Sequence, residues 1–482
     1  MTGVEPGLLA ELRALLGPAQ VHAGPAELVA YSYDGTFQQA VPAVAVTPGS
    51  TAEVQAVVTL AAAHGLPIIP RGAGTGLAGG TIPSEGSLVL SLARMSRILE
   101  VDRGNQVVVA EAGVVTADLQ RRVEREGLFY PPDPASLQQC TIGGNVATNA
   151  GGPRCLKYGV TKDYVLGLTV VLADGREMRL GGKVIKSSTG YQLGQLFVGS
   201  EGTLGIVTEA ILKLLPLPRE RQALVAHFER LEDAAEAVVQ IVASGLTPAA
   251  LELLDGLCIQ IVEEHVAMGL PLGAEALLII EQDGSDAATV QRQIDELAEL
   301  CRAAGATGVQ VSRDAAEREA VWTARRAMSP ALGRRSPNKL GEDIVVPRSQ
   351  LPAIIRRIRA IGEEHGFEIP VFGHAGDGNL HPNILFDRRR PGELERLERA
   401  AEAIFRAALE LGGTLSGEHG IGTLKREFLE AARGSVAVEV MRSLKAALDP
   451  QGILNPGKVL PVHGAGSGFL TALPALEGLV PG

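Results

Sequence analysis

The stretch Pro70-Arg71-Gly72-Ala73-Gly74-Thr75-Gly76-Leu77-Ala78-Gly79-Gly80 constrains this chain more than any other. Its glycines leave successive backbone N–H groups unobstructed, and such a run after a strand forms a concavity that binds phosphate oxygens. Letter by letter, Gly74 to Gly79 also satisfies GxGxxG, the dinucleotide fingerprint of a strand–turn–helix unit. The next residues, Thr81-Ile82-Pro83-Ser84, refuse the helix that this fingerprint must open, because proline lacks an N–H and clashes with the preceding turn. The expectation is a phosphate loop on a fold other than the nicotinamide-binding one.

Two more segments of the first half share this character. Pro131-Pro132-Asp133-Pro134-Ala135-Ser136 stiffens a loop before Cys140-Thr141-Ile142-Gly143-Gly144-Asn145-Val146-Ala147-Thr148-Asn149-Ala150-Gly151-Gly152, whose small and amide side chains suit the edge of a flat heteroaromatic ligand. Gly199-Ser200-Glu201-Gly202-Thr203-Leu204-Gly205-Ile206-Val207-Thr208-Glu209 is a turn feeding a strand. One such loop is ordinary in a chain with 58 glycines, but three in one half-chain are not.

Around these loops the pattern predicts strands at 43–47, 87–92 and 107–111, helices at 51–64 (Thr51 as N-cap) and 116–125, and a hairpin around Asp174-Gly175. Beyond Pro216 and Pro218 the character changes. Strands at 224–228 and 276–282 alternate with helices at 231–244 and 287–302, and helices at 315–327, 349–365 and 393–411 follow. That spacing predicts an α+β fold with an antiparallel sheet covered by helices.

The downstream half carries two further glycine-rich segments, Gly373-His374-Ala375-Gly376-Asp377-Gly378-Asn379-Leu380-His381-Pro382-Asn383 and Ser416-Gly417-Glu418-His419-Gly420-Ile421-Gly422. Two imidazoles and a carboxylate form a common set for a divalent metal that keeps open positions. Histidines 22, 64, 227, 265, 365 and 463 lie elsewhere; His374, His381 and His419 sit among glycines, where packing has little need of an imidazole. In Trp322-Thr323-Ala324-Arg325-Arg326, Arg325 falls one helical turn after Trp322. If that face is buried, Arg325 pairs either with a substrate carboxylate or with a structural acid.

A net charge of −11 argues against a nucleic-acid partner, which needs clustered positive charge. Cys140, Cys155, Cys258 and Cys301 have neither zinc-finger nor iron–sulfur spacing and read as reduced structural thiols, with Cys140 a small buried residue rather than a ligand contact. No signal peptide and no transmembrane segment are expected, so the reading is cytoplasmic, with peripheral association at the inner face of the membrane as the alternative. The apolar residues 469–480 read as a tail that docks on a neighbouring subunit or packs loosely.

With these segments assembled, the chain resembles the FAD-linked oxidoreductases of the vanillyl-alcohol oxidase/p-cresol methylhydroxylase type. Within them it looks closest to the D-lactate/D-2-hydroxyglutarate dehydrogenase branch and to a flavin-binding subunit of bacterial glycolate oxidase. The motifs PRGAGTGLAGG, CTIGGNVATNAGG, GSEGTLGIVTE, GHAGDGNLHPN, SGEHGIG and LDPQGILNPGK carry the resemblance together, over residues 40–460. It implies an N-terminal helical segment (1–37), a two-subdomain FAD-binding domain of the p-cresol methylhydroxylase type (38–217), a cap domain (218–460) whose C-terminus returns to the flavin, and a tail (461–482).

Carried onto this sequence, the resemblance implies pyrophosphate contacts at Arg71, Gly72, Gly74, Thr75, Gly76 and Leu77. It implies flavin and adenine contacts at Pro134, Ser136, Thr141, Gly144, Asn145, Thr148, Gly151, Gly152, Gly205, Ile206 and Val207, with Asn455 in the returning segment. Thr75 stands where some relatives attach FAD through histidine, so non-covalent FAD is expected. The implied ligands of a divalent metal (Zn, Fe or Mn) are His374, His381 and Glu418. His419 is implied as catalytic base, Asn383 near the substrate and Arg325 as the carboxylate-binding arginine, with Lys339 at a position whose spacing to Pro347 departs from the pattern.

The implied reaction is oxidation of a small 2-hydroxy acid, glycolate or D-lactate, by metal-assisted hydride transfer to FAD. With no cluster of its own, the chain would pass electrons to a quinone, a dye-like carrier or an iron–sulfur partner, and a second flavin-type subunit belongs to the same implied complex. The alternatives are D-2-hydroxyglutarate dehydrogenase and a non-catalytic flavin-holding subunit, against which the intact His374, His381, Glu418 and His419 set argues.

Overall fold

The computed structural model describes residues 4–462. The apolar tail at 469–480 lies outside the described residues. A small sheet comes first, with strands in the order Val21–His22, Val44–Val46, Leu88–Ser91, Ile68–Arg71. The last three are mutually parallel, and their uninterrupted apolar runs suit a sheet covered on both faces. Helix Thr51–Ala63 packs on it through Val54, Val57 and Val58. Its cap is Ser50, whose hydroxyl accepts from Glu53 N, one residue earlier than the sequence pattern suggests.

The second sheet is antiparallel, ordered Ile98–Asp102, Val107–Glu111, Ile206–Lys213, Val165–Val171, Glu177–Gly181. The hairpin at Asp174-Gly175 forms as expected, with Gly175 at φ +82° and Asp174 Oδ1 accepting from Arg176 N. Part of the second glycine-rich segment is a helix, Ile142–Thr148, rather than a loop throughout. Thr141 caps it through Gly144 N, and Ile142 and Val146 are buried against this sheet.

The downstream half is built on one eight-stranded sheet, ordered Gly308–Val311, Glu220–Phe228, Ala276–Gly284, Ala250–Asp255, Val371–His374, Asn379–Phe386, Asn338–Gly341, with Ile344–Val345 also on Asn379–Phe386. All its pairings are antiparallel. Side chains alternate between faces. Ala276, Leu278 and Ile280 enter the core with helices Leu231–Ala243, Ala287–Ala303, Leu351–His365 and Glu393–Glu410. Leu277 and Ile279 enter the opposite core with helices Gly256–Val266 and Ala315–Arg335. The sheet is therefore sandwiched by helices on both sides.

Helix Ala315–Arg335 runs well past the expected end at 327, through Pro330. Proline removes one backbone donor, but Met328, Ala331 and Leu332 are buried and hold the helix on its course. The C-terminal return is also present. Leu454 bridges Ile68, with Ile68 N donating to Ile453 O and Asn455 N to Ile68 O, each at 2.7 Å.

Candidate active site

A cavity opens where the three glycine-rich segments of the first half converge. It is lined by Arg71, Gly72, Thr75, Gly76 and Leu77 from the first, by Pro134, Ser136, Thr141, Gly144, Asn145 and Thr148 from the second, and by Gly205, Ile206 and Val207 from the third. No helix follows the first loop before strand Leu88–Ser91. Apolar walls at Leu92, Ala112 and Phe197 face polar edges at Ser136, Thr141, Asn145 and Thr148, the mixture a planar heteroaromatic group requires. A side chain at Gly76 would project into open space rather than into protein. These residues fit a bound FAD. Cys140 is buried and also lines the cavity, so it faces the ligand space as well as the core.

The remaining four residues expected at the cofactor are not among those that line the cavity. A Cβ on Gly74 would sit on the Arg71 guanidinium, itself held by Tyr33 O at 2.7 Å. A Cβ on Gly152, at φ +148°, would lie 2.4 Å from Asp133 O, and one on Gly151 would lie 2.9 Å from Glu418 Oε2. Asn455 donates through Nδ2 to Gly80 O and Glu201 O, fastening the returning segment to the first and third loops.

The same cavity is also lined by Glu418 and His419. His374 and His381 stand on the paired strands Val371–His374 and Asn379–Phe386, a hairpin rather than the glycine-rich loop their sequence suggests. Their Nε2 atoms are 3.3 Å apart, and Glu418 Oε1 lies 3.3 Å from His374 Nε2 and 3.4 Å from His381 Nε2. Three donor atoms converging on one point, from two imidazoles and a carboxylate, fit a divalent cation with positions left open. The electrostatics agree. Against the opposing effect of burial, Glu252 and Glu418 hold His374 well above the usual imidazole range, so positive charge is favoured at this point.

His419 stacks on His381 with ring centroids 5.1 Å apart. Burial pushes its imidazole down to about 4, which leaves it neutral at pH 7 and able to accept a proton. Its Nδ1 is buried without a hydrogen-bond partner. Asn383, on the strand of His381 two residues on and so on the same face, donates to His381 O. Arg325 is tied through Nε to Glu252 Oε2 at 2.6 Å and lies 4.6 Å from the centroid of Phe372. Lys339 donates to Ser329 Oγ at 2.6 Å and does not line the cavity.

Three acids that were not among the expected site residues organise this site. Asp343 Oδ2 accepts from Ser416 Oγ and from the backbone N–H groups of Gly417, Glu418 and His419. With Asn379 donating to Oδ1, it folds the Glu418–His419 loop around one carboxylate. Despite burial, His419, Lys425 and His381 hold Asp343 well below the usual carboxyl range. Glu201 accepts from Ile421 N and Gly422 N, which locks that loop against the cavity. Glu252 bridges His374 and Arg325. Glu201 left one trace in the sequence, a lone acid between glycines in Ser200-Glu201-Gly202.

The family described as "FAD binding domain" matches residues 42–181, and that described as "FAD linked oxidases, C-terminal domain" matches residues 217–459. Glycolate oxidase subunit GlcD of Bacillus subtilis (strain 168) is 46% identical over 450 residues, spanning 93% of this chain and 96% of that protein. D-lactate dehydrogenase of Anaerostipes hadrus is 38% identical, spanning 88% and 90%. The structure of p-cresol methylhydroxylase with substrate bound superposes with a TM-score of 0.79 at 18% identity, covering 95% of this chain and 98% of the other. The fold, the cavity and these matches establish that the chain belongs to the FAD-linked oxidases.

Proposed function

We propose that this chain oxidises a small 2-hydroxy acid, glycolate or D-lactate, to the 2-oxo acid, using non-covalent FAD and a divalent metal held by His374, His381 and Glu418. The carrying observation is that the FAD-type cavity and the metal-type donor set share Glu418, with His419 lining the cavity beside it. When bound, FAD supplies a two-electron acceptor and the metal a Lewis acid that makes a hydroxyl easier to ionise.

The chain's own residues divide the remaining work. The guanidinium of Arg325 grips the substrate carboxylate; its Nη groups make no hydrogen bond among the described residues, while Nε is fixed by Glu252. A fork of this kind orients the acid as well as binding it. The neutral imidazole of His419, with Nδ1 unpartnered, accepts the α-hydroxyl proton. Asn383 supplies a polar contact beside His381. Residues 38–217 serve as the FAD-binding domain and 218–460 as the substrate domain.

The relatives named as subunits of glycolate oxidase support a multi-subunit assembly. We place reoxidation of the flavin with an external acceptor there, an iron–sulfur subunit or a quinone. Among the described residues no helix is long and apolar enough to cross a membrane.

The test is anaerobic: purified yellow protein is mixed with glycolate, D-lactate, L-lactate and D-2-hydroxyglutarate in turn. Bleaching of the flavin by glycolate or D-lactate is expected. Bleaching by chemical reductant alone overturns the catalytic reading.

A further inference from the structure

We propose that Glu252 is a positioning residue that sets the substrate arginine and the metal centre through one carboxylate. This rests on the function just proposed. Glu252 stands in strand Ala250–Asp255 directly opposite His374 of the neighbouring antiparallel strand, fully buried. Each oxygen has one partner: Oε1 lies 2.5 Å from His374 Nδ1, and Oε2 accepts from Arg325 Nε at 2.6 Å.

A carboxylate is acceptor-only, so the proton of this contact sits on His374 Nδ1. In the neutral form that a ligand imidazole must take, the lone pair of Nε2 is then turned toward His381 Nε2 and Glu418 Oε1, at 3.3 Å from each. An acid on the far nitrogen of a ligand imidazole fixes both its tautomer and its orientation. The second oxygen fixes the guanidinium at Nε and leaves both Nη groups for a substrate. The two grips expected on the substrate, at its carboxylate and at its hydroxyl, are thereby held in register by a residue that touches neither.

Glutamine in this place keeps the shape but offers one oxygen and one NH2. With the NH2 toward His374, Nδ1 must accept, the ring proton moves to Nε2, and that nitrogen cannot ligate. With the NH2 toward Arg325, two donors meet and the guanidinium is driven away. Either orientation breaks one half of the register.

The experiment uses flavin-loaded protein. Zinc affinity is read by competition with a chromogenic chelator, and KM and kcat are read with the best 2-hydroxy acid. Glu252→Gln is expected to lose about 10–100-fold in zinc affinity, in KM or in both, and Glu252→Asp, which keeps two acceptors, is expected to recover part of the loss. If Glu252→Gln lowers thermal stability alone and leaves zinc affinity, KM and kcat as in the unsubstituted protein, the residue is only structural and the inference fails. Should that variant not fold, Arg325→Met tests the same link from the other side. A several-fold shift in zinc affinity supports the link, and none overturns it. Failure of the underlying reading looks different: the unsubstituted protein would bind zinc no better than His374→Ala.

Discussion

Replacing Gly151 by alanine probes the site from the FAD-binding side, without substituting a proposed metal ligand. The added methyl would lie 2.8 Å from Cys155 Sγ and 2.9 Å from Glu418 Oε2, where carbon prefers about 3.5–4.0 Å. Relief requires a movement of about 0.6–1 Å. Glu418 presents its other oxygen, Oε1, at 3.3 and 3.4 Å from the two Nε2 atoms. A carboxylate pushed that far leaves the window of about 0.2 Å within which metal–ligand distances hold. The expected loss of metal affinity is about 10–100-fold, or about 1.4–2.7 kcal/mol. Chelator competition measures it directly, and stopped-flow flavin bleaching reports the matching loss of rate. Adding Cys155→Ala opens space on the opposite side of the methyl, so the double variant is expected to regain affinity. Wild-type affinity in Gly151→Ala, or a double variant no better than the single one, refutes the placement of Glu418 against Gly151.

Two other expectations follow from single residues. Glu342 is buried with no hydrogen-bond partner on either oxygen, and Lys425 Nζ is 3.7 Å away. Burial raises its carboxyl from 4.5 to about 7, so its contribution to stability is complete below the unfolded value and lost as pH rises through the folded one. Relative to wild type, Glu342→Gln should therefore gain in Tm between about pH 5 and pH 8, and a gap independent of pH contradicts this. With Thr75 rather than a histidine in the first loop of the cavity, the flavin should leave the protein on acid precipitation and colour the supernatant. A yellow pellet contradicts non-covalent binding.

Much of this molecule was legible in its residues because glycine and proline punctuate it so heavily. The loop 70–80 could be denied a Rossmann helix from Pro83 and the turn formers around it, and strand Val107–Glu111 and helix Thr116–Glu124 fell where their patterns placed them. Elements whose pattern is ambiguous were missed. Ala250–Asp255 reads ALELLD, a short apolar run with acids that suits a helix as well as a strand, and only pairing with two neighbours makes it a strand. Val371–His374 and Asn379–Phe386 were hidden by the glycines between them. The last helix among the described residues, Ser435–Leu448, buries only Val438 fully and was not assigned from the sequence.

The site divides in the same way. Residues announced by a motif, such as His374 and Glu418, were found. Those that act from outside a motif, Glu252 and Asp343, were not, because a buried acid is recognisable only by partners distant in sequence, 36 residues away for Asn379 on Asp343 and 73 for Arg325 on Glu252. For Arg325 the sequence left a choice between substrate and structural acid. The structure shows the acid, Glu252 at Nε, with the rest of the guanidinium unbonded among the described residues.

The most direct test of the account compares metal-replete and metal-stripped protein in a single anaerobic turnover. One divalent ion per chain is predicted, absent from His374→Ala. The stripped protein should keep its flavin yet bleach on the order of 100-fold more slowly with glycolate or D-lactate, and re-adding the ion should restore the rate. Full-rate bleaching by protein shown to be free of metal would contradict the convergence of His374, His381 and Glu418 as a working centre.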